Sequence, residues 1–229
     1  MATTKITAKI YKPLWLSFDK QAKGLFIKSS AFLNHVIQSE TPHLSRELEG
    51  KRLSLRAKRH IAGALKSMGA DHLHPISIVV DQETASALDK VVKRSNLVRD
   101  AFINRLIMLL RSSDALLTHF GIPKTVDARA LRSAEPMPTS PMKAMEAVRD
   151  DPLFYLRVFA EEHLESGLYL LPLPEILSGF SCYIDDDQVP GTVAHGKVKA
   201  NLDDLVAALE SFESKAFAPA RKTKKGAKR

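Results

Sequence analysis

The chain has 229 residues, 45 % of them hydrophobic, with one cysteine and 34 basic against 26 acidic side chains. This supplies a globular core and excludes an intrachain disulfide framework or a CxxC-type zinc site. Of the net charge of +8, most lies in the last eleven residues, "PARKTKKGAKR", which hold Arg221, Lys222, Lys224, Lys225, Lys228 and Arg229 and no acid. Such a tail (218–229) has nothing to bury, so it is expected to be disordered and either to hold phosphate backbones without reading sequence or simply to aid solubility. The longest apolar runs, "FINRLIMLL" and "LYLLPLPEIL", are too short to span a membrane, and with no signal peptide and a single Cys182 the expected location is cytoplasmic.

Residues 1–12 alternate lysine with apolar side chains and read as a lead-in. "PLWLSFD" (13–19) then alternates as a half-buried strand does, with Leu14, Leu16 and Phe18 on one face and Trp15 and Ser17 on the other. The pattern returns 62 positions later in "PISIVVD" (75–81), with Ile76, Ile78 and Val80 inward and Ser77 and Val79 outward. Each run starts with proline, tolerated at a strand's first position, and ends in Asp19 or Asp81, where a helix N-cap would stand. After Asp81 the apolar spacing becomes helical: Ala85, Leu88, Val91 and Val92 predict one helix. A second, starting near Ser95 as its N-cap, carries Leu97, Val98, Ala101, Phe102, Leu106, Leu109 and Leu110.

The helices of the first copy admit two registers. "AFLNHVI" (31–37) matches "AFINRLI" (101–107) at an offset of 70, which would shorten the first helix by eight residues. Alternatively "SSAFLNHVIQSE" is the first helix and "KRLSLRAKRHIAGALKSMG" the second, with Lys51, Arg52, Arg56, Lys58 and Arg59 forming a basic run; a solvated helix face is the common role of such a run.

Residues 114–143, rich in Pro, Ser and Thr, read as a linker. Residues 144–217 read as a small, mostly helical α+β domain for oligomerisation or partner contact, with helices over "DDPLFYLRVFAEEHLESG" and "NLDDLVAALESFESKAF" and two or three short strands. His60, His72 and His74 lack ligand partners, and Glu161, Glu162, His163 and Glu165 suit a wet helix face. No phosphate loop, dinucleotide fingerprint, nucleophile elbow or HExxH motif occurs, so the expectation is a non-enzyme without metal or cofactor.

The order strand, helix with Leu88, Arg94-Ser95 and a second helix continuing "LVRDAF" resembles a ribbon-helix-helix DNA-binding domain, the Arc/MetJ-like class of bacterial and plasmid regulators. The likeness covers residues 73–113 well and, as a degenerate first unit, part of 1–72. It implies a mainly α protein with a short β ribbon, the two strands pairing either within the chain as a pseudo-dimer or between chains as a homo-oligomer, and entering the major groove of double-stranded DNA. Trp15, Ser17, Ser77 and Val79 would then face bases. Lys28, Ser29, Ser30, Arg94, Ser95, Asn96 and Arg99 would hold phosphates, joined by the basic run 51–59. Family members usually carry Arg, Lys, Thr, Asn or Gln on the base-facing positions, so this set is a weak reader. Two functions fit: a DNA-binding regulator (repressor, antitoxin-like or plasmid-type), or an interaction module that keeps the fold as a dimerisation scaffold and regulates a partner protein.

Overall fold

The computed structural model describes residues 2–125, 139–193, 195 and 196. It is mainly helical, with a two-stranded antiparallel sheet made of β1 (Thr3–Tyr11) and β2 (Leu73–Asp81). Each strand runs directly into two helices: α1 (Lys12–Gly24) and α2 (Ser29–Glu47) after β1, α4 (Gln82–Arg94) and α5 (Arg99–Arg111) after β2. Between these two strand-helix-helix units lies α3 (Leu55–Ser67).

The strand expected at 13–19 is instead the body of α1. Leu14 and Phe18 stand four apart, so the same residues that alternate also share one face of a helix, and Ala22 continues it. Pro13 sits in the first turn, where a missing N–H costs nothing. The strand lies one step earlier, in the stretch read as a lead-in: Ile6, Ala8 and Ile10 point to the core, and Lys5, Thr7 and Lys9 point to solvent. The structural repeat is therefore 70 residues in every element, and both first helices have 13 residues. Of the two registers left open, the match of 31–37 with 101–107 is the one that holds, since 31–37 lies in α2, but without the expected shortening of the first helix by eight residues; the basic run 51–59 leads into a separate helix, α3.

The ribbon pairs Thr3 with Asp81, Thr7 with Ser77 and Tyr11 with Leu73. Thr7 and Ser77 are also each other's counterparts in the repeat, so an approximate two-fold axis passes between them and the strands pair within one chain. The units interlock: α2 packs on β2 and α5 on β1. One asparagine in each second helix pins the opposite strand. Asn104 accepts from Tyr11 N (2.8 Å) and donates to Lys9 O (2.9 Å), while Asn34 accepts from Asp81 N (3.3 Å). Ile6, Ile10, Ile78 and Val80 close the core against Leu33, Ile37, Phe102 and Leu106, all buried.

By contacts the chain divides after Asp185 rather than at the expected linker: one unit is Met1–Asp185 and the other Asp186–Arg229. Residues 144–185 belong to the first unit, and the reason is polar as well as apolar. Glu40 of α2, wholly buried, accepts from Tyr169 Oη (2.6 Å) and pairs with Arg157, which also holds Asp151 (2.7 Å). Arg105 of α5, also buried, donates to the carbonyls of Leu168 and Leu171 (both 2.8 Å). The segment 151–171 thus bridges both second helices. Within the expected linker, α6 (Asp114–His119) is helical and buries Leu116. Beyond it come α7 (Pro141–Asp150) and α8 (Phe154–His163), then a 3-10 turn over Glu175–Phe180; Phe180 packs with Leu65, Met108 and Leu116. Gly179 lies so close to Leu65 that a Cβ would stand 2.6 Å from its backbone nitrogen. The strands expected in 144–217 are not found among the described residues, where β1 and β2 are the only pair. In the second unit, Thr192 Oγ1 accepts from His195 N (2.9 Å) after a 3-10 turn at Asp186–Gln188. The helix expected at 201–217 and the basic tail lie outside the described residues. Among the described residues no helix is long and apolar enough to cross a membrane.

Candidate nucleic-acid interface

The pleat sends alternate side chains to opposite faces, so burying Ile6, Ala8, Ile10, Ile78 and Val80 obliges the intervening residues to face water. The open face of the ribbon consequently carries Lys5, Thr7 and Lys9 on β1 and Pro75, Ser77 and Val79 on β2, all exposed. Across the strands, Lys5 lies opposite Val79, Thr7 opposite Ser77 and Lys9 opposite Pro75. Ser77 and Val79 stand where the sequence placed them. Trp15 and Ser17 do not: both are half-buried on α1, with the Trp15 ring 5.7 Å from that of Phe18.

Beside the ribbon, between β1 and α4, is a mostly polar cleft of about 450 Å³ lined by Lys5, Lys90, Lys93 and Arg99 with Asp89 as its acid. Arg99, the first residue of α5, donates to Thr7 O (3.2 Å) and lies 3.7 Å from Asp89, which aims its guanidinium along the ribbon edge. Lys5, Lys90 and Lys93 make no ion pair among the described residues. The counterpart positions beside α1 differ. Asp19 is held by Lys23 and Ser29 (2.6 Å each), and these two bonds, Lys23 first, lower its pKa. The Ser29 hydroxyl is therefore occupied, Ser30 is half-buried, and Lys28, the N-cap of α2, stays exposed.

Most of the other expected phosphate residues have structural work. Ser95 ends α4 and is buried; the N-cap of α5 is Val98, so the serine expected to open the helix closes the preceding one. Asn96 takes the left-handed conformation that reverses the chain (φ 55°), donates to Leu53 O (2.9 Å) and accepts from Lys58 Nζ (2.9 Å). Arg52 donates to the last carbonyls of α4, Lys93 O and Arg94 O, where a cation also suits the helix dipole. Arg94 reaches Ser45 O (2.7 Å), and Lys51 lies over the Tyr183 ring at 5.0 Å. Arg56 and Arg59 are exposed on α3. Of the expected phosphate residues, Arg99 opens α5 and Lys28, Ser29 and Ser30 open α2, with Arg99 and Lys28 as the two cations.

Lys5, Thr7, Lys9, Lys90 and Lys93 were missed as site residues. The signal for the first three was present in "KITAKIY", whose alternation is as long as that of "PLWLSFD" and sets polar residues at 5, 7 and 9 between the apolar ones. Among the described residues no three His, Cys, Asp or Glu groups cluster to hold a metal. Cys182 is buried, and burial pushes its thiol up to about 12.

Comparison of the chain with family profiles, with curated proteins and with solved structures returned no match.

Proposed function

We propose that the protein is a DNA-binding regulator or nucleoprotein accessory factor, built as two ribbon-helix-helix units paired within one chain, whose ribbon enters the major groove of duplex DNA. The observation that carries this reading is the open face of the ribbon: Lys5, Thr7, Lys9 and Ser77 aligned on one exposed surface, with the lysine-lined cleft and Arg99 at its edge. Lysine donates to guanine O6 and N7, Thr and Ser serve either kind of base edge, and Val79 suits a thymine methyl. The flanking cations and the free amides opening α5 suit phosphates, which position the ribbon without reading sequence. Acetylation of the full chain with and without a duplex tests the proposal. Lys5, Lys9, Lys90 and Lys93 are expected to be protected in the complex while Lys66 on α3 stays reactive; unchanged reactivity at Lys5 and Lys9 in a formed complex would remove the ribbon from the interface.

The interaction-module reading also has an observation in its favour. Leu25, Phe26 and Ile27, in the turn between α1 and α2, are exposed, Phe26 at 99 %. An apolar turn of this kind suits a protein surface better than a nucleic acid.

A further inference from the structure

We infer that the DNA site of this protein is oriented and non-palindromic, read through two lysines that the ribbon's own symmetry does not repeat. The inference rests on the DNA-binding reading and deepens it. When two identical chains form a ribbon, every side chain on its face recurs across the two-fold axis, and the preferred duplex mirrors that symmetry. Here the axis passes between Thr7 and Ser77, two hydroxyl residues of similar capacity. Away from the axis the equivalence fails. The counterpart of Lys5 is Pro75, and the counterpart of Lys9 is Val79, so a cationic donor on β1 is replaced on β2 by a side chain with no donor.

Both lysines lie on one strand of the ribbon. Four residues of strand span about 13 Å at roughly 3.3 Å per residue, close to four base pairs at about 3.4 Å each. The expected site therefore carries two guanine preferences about four base pairs apart, contacted from one edge of the ribbon. No mirrored pair accompanies them.

The flanks differ in their residues but less in their charge. Arg99 at the start of α5 corresponds to Ser29 at the start of α2, whose hydroxyl already binds Asp19. The lysine-lined cleft beside α4 has as its counterparts Lys12, Trp15, Leu16, Asp19, Lys20 and Lys23 beside α1, where Lys23 is committed to Asp19 and Lys28 stands exposed at the start of α2. Cations therefore flank both ends of the ribbon, and the polarity of the protein on the duplex rests on Lys5 and Lys9. Joining the two units in one chain is what permits this, because each can change without its twin.

The test is selection of a randomised duplex library by the full chain, followed by sequencing of the bound fraction. The expected consensus has no two-fold symmetry. Lys5→Ala should reduce the base preference at one position by roughly tenfold, at the low end for one good base contact, and Lys9→Ala should do the same at a second position about four base pairs away. The double substitution Pro75→Lys and Val79→Lys restores the missing donors and should shift the consensus toward a palindrome. A palindromic consensus from the unaltered chain, or an asymmetric one indifferent to both alanine changes, would overturn the inference while leaving DNA binding intact. No enrichment of any sequence would instead overturn the proposed readout itself.

Discussion

The two strand-helix-helix units follow one backbone plan and are covered in opposite ways. In the second, the turn between the helices is buried: Leu97 is 2 % exposed, and Leu53 before α3 and Lys58 within it bind the turn. In the first, the same turn is bare, with Phe26 in the same left-handed conformation as Asn96 (φ 58° and 55°) but almost wholly in solvent. The inner flank shows the same contrast: Met108 of α5 packs with Leu116 and Phe180, whereas the cleft of about 460 Å³ between α2 and α4 is open. On the ribbon the distribution reverses, since the less covered unit contributes both lysines. A repeat joined in one chain can give one copy the scaffold and the other the polar surface.

The largest expected effect comes from the bridge between the second helices. Glu40→Ala leaves buried Tyr169 without its partner and Arg157 with Asp151 alone, and should cost roughly 3–5 kcal/mol in chemical denaturation, the usual loss when one side of a buried ion pair is removed. The two turns should differ next. Leu97→Ala should cost about 2–4 kcal/mol, while Phe26→Ser should stay within about 0.5 kcal/mol, as surface changes do; equal losses would mean that the first turn is covered after all. Asn104→Ala should cost about 1–2 kcal/mol because it orphans strand groups bonded at 2.8 and 2.9 Å, and Asn34→Ala, whose bonds are 3.3 Å, should cost less.

The smallest effect is a pH dependence. Burial raises the pKa of Glu47, only partly offset by the Tyr169 amide and Arg105. The folded state then holds that proton more tightly than the unfolded chain, so this group favours folding most below the ordinary value of 4.5 and its contribution is lost as pH rises through the folded-state pKa. Glu47→Gln should flatten the decline of melting temperature above pH 4.5; an unchanged profile would exclude Glu47 as its source.

The second unit was legible because its signals agree. Its strand is long and β-branched, Asp81 stands at the boundary, and the α4 apolar residues keep helical spacing. In the first unit they compete. Leu14, Leu16 and Phe18 satisfy a strand's period and, through the 14/18 pair, a helix's, while the lysines of "KITAKIY" disguised a strand whose polar face is open to solvent. The attachment of 144–185 was illegible for a different reason. It depends on partners far apart in sequence, Glu40 with Arg157 and Tyr169, separated by 117 and 129 residues, and no local pattern encodes such a pairing.

The central claim is that the folded ribbon, rather than the basic tail, binds duplex DNA. Its most direct test is the salt dependence of duplex affinity for the full chain and for Lys5→Ala/Lys9→Ala/Lys90→Ala/Lys93→Ala, with the tail intact in both. The variant should bind more weakly and lose about 0.9 of log–log slope for each phosphate contact removed. Superimposable curves would assign the binding to the tail and contradict the account.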